Sequence, residues 1–389
     1  MQITVFSIVM SIISTSILIA VLSILKVRFR IFEVNSVSVT LLLYVFCVIR
    51  MCFPVEFPWV IVIGSEHMYS NLYKLFQTKV SGFAGRDITL GFIGLLLWII
   101  VAAILLLRLL RKYYAIYKLV KNVRDLNYGV LADDEKQIEG FQSDIKRKEK
   151  ISVVKSNAVQ APICLGIIRK MILIPDREYS DQEHYYILKH EYTHHKNNDL
   201  LIQLLLNLLC IVYWWNPFVY LLKKDMLLAF EVRCDEMCVL GMDNKEITAY
   251  LETLLRVFKE RENSALAFNE YLGVLGECSD GRGEIVDRFR ILADRAKAPV
   301  KTRYGFLTVL LIVMIGILSY LFLLQPSIQP TEEDCGVVGE DYLIETNDSH
   351  ILHKKNGEYV LITSRGETMV ISEDTSKMMS DSGFEVIEE

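Results

Sequence analysis

No two of the eight cysteines form a CxxC pair. Cys234 and Cys238 are four apart, while Cys47, Cys52, Cys164, Cys210, Cys278 and Cys335 are scattered, so a disulfide framework is excluded. A basic excess is missing too, since 42 Lys and Arg face 47 Asp and Glu, a net charge of −5. The balance is uneven: residues 326–389 hold 4 Lys/Arg against 15 Asp/Glu, leaving 38 against 32 in the rest. An acidic tail on a mildly basic body fits opposite sides of a membrane, and no direct nucleic-acid contact is expected. Nor does any basic residue precede the first apolar run, residues 4–25; Lys26, Arg28 and Arg30 follow it. That order is the reverse of a cleaved signal peptide and predicts a retained helix.

What is present is apolar residue, 52% of the chain and bunched, which points to an integral membrane protein. Four spans are expected, over about 4–25, 37–54, 88–107 and 304–325, with Arg50 snorkelling near the end of the second. Residues 55–87 are read as an outer loop whose Trp59-Val60-Ile61-Val62-Ile63 patch suits the membrane interface. Basic clusters (Arg108, Arg111, Lys112, Lys118, Lys121 and Arg124, then Arg288, Arg290, Arg295, Lys297, Lys301 and Arg303) bracket residues 108–303 and mark them as cytoplasmic. Both termini are then outside, in a bacterial cell membrane. The only cysteines near the outer side are Cys52 and Cys335, read as free thiols with a bridge between them as the alternative.

Chemistry is concentrated in Lys189-His190-Glu191-Tyr192-Thr193-His194-His195. On a helix His190 and His194 share one face and can grip a single metal ion, with Glu191 placed to take a proton from water. Asp181 is expected to cap that helix, and two apolar segments ahead of it, 151–154 and 162–175, read as strands. Residues 200–222 read as a helix buried beneath the site, broken at Asn216-Pro217. A third ligand is expected from Glu231 or Asp235, one turn apart on a later helix. One of these carboxylates would bind the metal while the other orients a ligating histidine. Glu236, Cys234 and His195 are the alternatives, His195 pointing about 100° away from the histidine pair.

These residues resemble the BlaR/MecR-type membrane zinc metallopeptidases, bacterial antirepressors of the gluzincin group. The resemblance runs over about 1–325 and rests on Ala161-Pro162 with Gly166 and Pro175, His190-Glu191-x-x-His194 with Asp199, Trp215-Asn216-Pro217, and Glu231-x-x-Cys234-Asp235. It implies zinc held by His190, His194 and Glu231, with Glu191 as general base and Asp235 as partner to a ligand. It further implies that Ile172, Leu173 and Ile174 form the edge strand that pairs with a substrate peptide. The fold expected is an α-helical membrane protein with a cytoplasmic α+β zincin domain at 108–303 and a small acidic extracytoplasmic β unit at 326–389. That tail is too short for the penicillin-binding sensor of the best-known members, so β-lactam sensing is not expected.

The function implied is zinc-dependent endopeptidase activity on a protein or peptide, such as a cytoplasmic repressor, triggered across the lipid bilayer. A homodimer is a further expectation. The competing readings are a housekeeping protease of the HtpX/CAAX-endopeptidase kind and a non-catalytic receptor. The oxyanion donor is open, with Arg233 and the tyrosines as candidates.

Overall fold

The computed structural model describes residues 5–29, 37–54, 61–65, 75–83, 86–125, 132–142, 150–157, 159–263, 281–297, parts of 306–326, 350–354, 357–362, 368–381 and 384–388. It divides into two units, Met1–Pro326 and Ser327–Glu389. Cys278 and Cys335 lie outside the described residues, and Cys52 is a free, exposed thiol.

Three apolar helices come first: α1 (Val5–Phe29), α2 (Val37–Cys52) and α3 (Leu90–Asp125). Among the described residues, two stretches are long and apolar enough to cross a membrane, Ser7–Lys26 in α1 and Leu90–Asn122 in α3. Helix α2 has 16 residues, about 24 Å at 1.5 Å per residue. Between α2 and α3 run β1 (Ile61–Ser65) and the antiparallel pair β2 (Lys79–Phe83) and β3 (Arg86–Thr89). Helix α3 therefore starts two residues later than expected and continues far past 107, packing Ile116 with Val154, Ile163 and Leu165. The expected fourth helix does not reach 325. A strand, β7 (Phe322–Pro326), pairs parallel with β1, Ile61 opposite Phe322 and Ser65 opposite Pro326. A short apolar run suits strand and helix equally, and the Ile61-Val62-Ile63 patch supplies the partner that decides it.

After α4 (Ala132–Phe141) comes a three-stranded sheet of β4 (Ser152–Lys155), β5 (Ile163–Leu165) and β6 (Met171–Ile174). Its order is β4-β6-β5, parallel on one side of β6 and antiparallel on the other. All four residues of β6 are buried. Alternation sends Ile172 and Ile174 into a cluster with Val153, Leu188 and Tyr192, and Met171 and Leu173 into one with Ile116, Ile163 and Leu165. The β5–β6 turn depends on Gly166, whose φ of +80° is open to glycine at no steric cost.

Four helices follow: α5 (Asp181–Lys196), α6 (Asp199–Val212), α7 (Pro217–Val239) and α8 (Asn244–Asn263), and then α9 (Gly281–Lys297). The cap of α5 is Ser180 rather than Asp181: its hydroxyl accepts from the Glu183 N–H while the Glu183 carboxylate accepts from the Ser180 N–H. The expected break at Asn216-Pro217 is an N-cap, with the Asn216 side chain accepting from the Phe218 N–H and proline, which has no N–H to lose, at the first helical position. Helix α6 buries Gln203, Leu206, Asn207 and Cys210 and exposes Leu201, Leu205 and Val212. Leu18, Leu22, Leu43, Cys47, Leu206, Met226 and Val232 join α1, α2, α6 and α7 in one core.

The second unit holds β8 (His350–His353), β9 (Tyr359–Ile362), β10 (Thr368–Ile371), α10 (Glu373–Asp381) and β11 (Glu385–Glu388). Its sheet runs β10-β9-β8-β11 around Ile351, Leu361 and Phe384.

Candidate metal centre

Helix α5 places His190 and His194 on one face, and their Nε2 atoms approach to 3.2 Å. Glu231 enters from α7, its Oε2 3.4 Å from His190 Nε2 and its Oε1 3.6 Å from His194 Nε2. All three ligating atoms lie within 4.8 Å of one another. Two imidazole nitrogens and one carboxylate converging on a point suit a divalent transition metal with an open position.

The far side of each ring is held. His194 Nδ1 meets Asp199 Oδ2 at 2.8 Å. That contact depends on a tight turn at Asn198, which takes the left-handed conformation Asn tolerates (φ 56°). Lys170 ties the turn down, donating to the His195 carbonyl at 2.8 Å and to Asn198 Oδ1 at 3.2 Å. His190 Nδ1 lies 3.0 Å from Tyr250 OH, which donates to Asp235 Oδ1 at 2.7 Å; the direct His190–Asp235 distance is 3.3 Å. The expected Asp235 partnership therefore runs largely through Tyr250, which the sequence reading does not single out. Arg288 on α9 is the second residue it misses, donating to both Asp235 and Glu231.

Electrostatics follow from these contacts. Burial opposes charge on Glu231, but Arg288, His194 and His190 hold its carboxyl well below the usual carboxylate range. Asp235 has no exposure, yet Arg288 and the His190 hydrogen bond outweigh burial and lower it to about 2. Burial likewise disfavours a charged His190, while Asp235 and Glu231 raise its pKa well above the ordinary imidazole value.

The alternative ligands sort themselves by geometry. His195 Nε2 points to the Met171 carbonyl, 3.1 Å away, and burial lowers its pKa to about 4, so it serves the sheet and not the site. Cys234 lies 3.4 Å from His194 Nδ1 and 3.6 Å from Asp199. His194, Asp199 and Cys234 form a second group able to hold a metal, but it uses the histidine nitrogen that faces away from His190 and Glu231. Arg233 pairs with Asp199 and lies over the Phe230 ring.

The expected peptide-binding strand needs correction. Ile172, Leu173 and Ile174 lie in the central strand β6, hydrogen-bonded to β4 on one side and β5 on the other and covered on both faces. No edge is left for a substrate. Sheet order is set by long-range pairing, which a run of β-branched residues does not reveal. The edge beside the site is β5, where Cys164 hydrogen-bonds Glu191; burial and then Glu191 push the Cys164 thiol well above its ordinary pKa. A narrow cleft lined by Pro162, Ile187, His190, Glu191, Tyr250 and Leu254 opens there.

The comparisons agree with this architecture. The model of the family described as BlaR1 peptidase M56, a metallopeptidase family, matches residues 7–272. Regulatory protein BlaR1 of Bacillus licheniformis is 30% identical over 205 residues, 52% of this chain and 33% of that protein. The BlaR1 of Staphylococcus aureus is 26% identical over 166 residues, 42% and 28% of the two chains. The methicillin resistance mecR1 protein of Staphylococcus epidermidis is 22% identical over 274 residues, 69% and 44%. The chain thus spans less than half the length of each of these relatives. The match takes in both histidines of α5, the carboxylates of α7 and the membrane-type helices: this chain belongs to the BlaR1 peptidase M56 family.

Proposed function

We propose that the chain is a membrane-bound zinc metalloendopeptidase that cuts a cytoplasmic protein, such as a transcriptional repressor, in response to a signal from outside. The observation that carries the reading is the convergence of His190, His194 and Glu231 beside Glu191. A zinc ion held by those three would supply Lewis acidity toward a scissile carbonyl and toward water. Glu191, 8% exposed at the cleft, takes the proton from the attacking water and delivers it to the leaving amine. An extended peptide adds to the free edge of β5, main chain to main chain, which brings it over Glu191. In this reading α1, α2, α3 and the segment leading into β7 cross the bilayer, with the sheet and the metal centre on the cytoplasmic side and both termini outside. The family match favours a sensor-transducer over a quality-control protease.

The test compares purified full-length protein with Glu191→Gln. Both should hold one zinc per chain by atomic absorption. Only the first should cleave an internally quenched peptide library, the variant losing about 10²–10⁴-fold or more in rate. Cleavage at the wild-type rate by Glu191→Gln would sink the assignment.

A further inference from the structure

Arg288 sits outside the segment matched by the family model, and the sequence reading groups it with the basic residues that mark the cytoplasmic side. The fold gives it a different task. It is 8% exposed, on α9, against α7. Its Nε donates to Asp235 Oδ2 at 2.8 Å and its Nη2 to Asp235 Oδ1 at 2.7 Å, a two-pronged fork. The remaining prong, Nη1, reaches Glu231 Oε2 at 3.0 Å. One guanidinium thus grips the third metal ligand and the carboxylate that, through Tyr250, fixes His190.

We propose that Arg288 is a positioning residue of the metal centre: its fork clamps Glu231 and Asp235 together so that the ligand set is assembled before a metal arrives. The proposal rests on the metal reading above. Two observations favour positioning over a plain ion pair. The Glu231 side chain keeps 26% exposure, so without an anchor a glutamate there would be free to turn toward water. With Oε2 taken by Arg288, Oε1 is the oxygen left toward His194 Nε2. Asp235, fully buried, needs a cation in the same place to remain ionised. A lysine supplies the charge but not the planar fork that meets two carboxylates at once.

The experiment measures zinc affinity by competition with a chromophoric chelator, on full-length protein in detergent, for wild type, Arg288→Met, Arg288→Lys and His190→Ala. The Co²⁺-loaded forms give a d–d spectrum that reports the ligand set. Both arginine variants should bind zinc about 10–100-fold more weakly, Arg288→Lys less affected than Arg288→Met, with altered cobalt bands. A role confined to folding would lower the melting temperature and leave affinity and spectrum unchanged. Either folded variant with wild-type affinity and spectrum overturns the proposal, and if Arg288→Met does not fold, Arg288→Lys decides. Failure of the underlying reading looks different: wild type would bind no zinc, or His190→Ala would bind it as well as wild type does.

Discussion

Asp225 lies on α7 six residues before Glu231, and its carboxylate is 3% exposed. It accepts from Lys26 Nζ at 2.6 Å and Ser23 Oγ at 2.7 Å, both on α1, and from Tyr44 OH on α2 at 3.3 Å. Replacing Asp225 by Leu takes this carboxylate away from the Lys26 ammonium, whose side chain is 16% exposed. Breaking one side of a buried pair costs about 3–5 kcal/mol; the residual exposure of Lys26 places this case near 3. Adding Lys26→Met removes that charge. What remains is the loss of an acceptor for two hydroxyls, about 1 kcal/mol each, so the double variant should cost about 2 kcal/mol or less. The assay is denaturant unfolding in micelles followed by tryptophan fluorescence. The expected signature is a double variant more stable than Asp225→Leu alone. A single variant costing under about 1 kcal/mol, or a double variant less stable than the single, would refute the view that this ion pair adds to the apolar core in holding α7 to α1.

Two further outcomes follow from the site. Carboxylates beside His190 raise its pKa, so a metal ion at the proposed site competes with a proton there; zinc affinity should rise with pH and fall as pH drops. Calorimetric titration at pH 7 in buffers of different ionisation enthalpy should show about one proton released per zinc, and zero release contradicts the shift. Gly166→Ala would place a Cβ 1.9 Å from the Arg169 carbonyl oxygen at φ +80°, costing upward of about 1–3 kcal/mol by strain alone. A melting temperature equal to wild type would show that the β5–β6 turn tolerates a side chain.

The sequence discloses what is local. His190 and His194 are fixed by a four-residue spacing on one helix, and Glu231 and Asp235 by the same spacing on another; local periodicity is enough to put each pair on one face. Pro217 after Asn216 marks its own helix start in the same way. What the sequence hides is pairing at a distance. Nothing in Met171-Ile172-Leu173-Ile174 tells whether a strand is central or at the edge, because that depends on residues 152–155 and 163–165 lining up on its two sides. Tyr250 is one of 19 tyrosines and carries no pattern, so only the fold sets it between His190 and Asp235. Arg288 is obscured by its neighbours: in a run that also holds Arg290 and Arg295, charge reads as a topology marker until one member is found buried.

Helix α7 is where the two halves of the reading meet. Its first half is held by polar contacts to α1 and α2, the Asn216 side chain donating to Ser16 Oγ and Asp225 receiving Lys26 and Ser23. Its second half carries Glu231 and Asp235, clamped by Arg288. Asp225 and Glu231 are about 9 Å apart along the axis, and no glycine or second proline interrupts the turns between them. A helix that short between its two anchors is stiff, so α1 and α2 cannot shift as a body against it without loading the third ligand or breaking the Lys26–Asp225 contact. The ion pair thus couples α1 to the helix that carries Glu231, a coupling that the proposed transducer needs and a protease held by its helices alone does not.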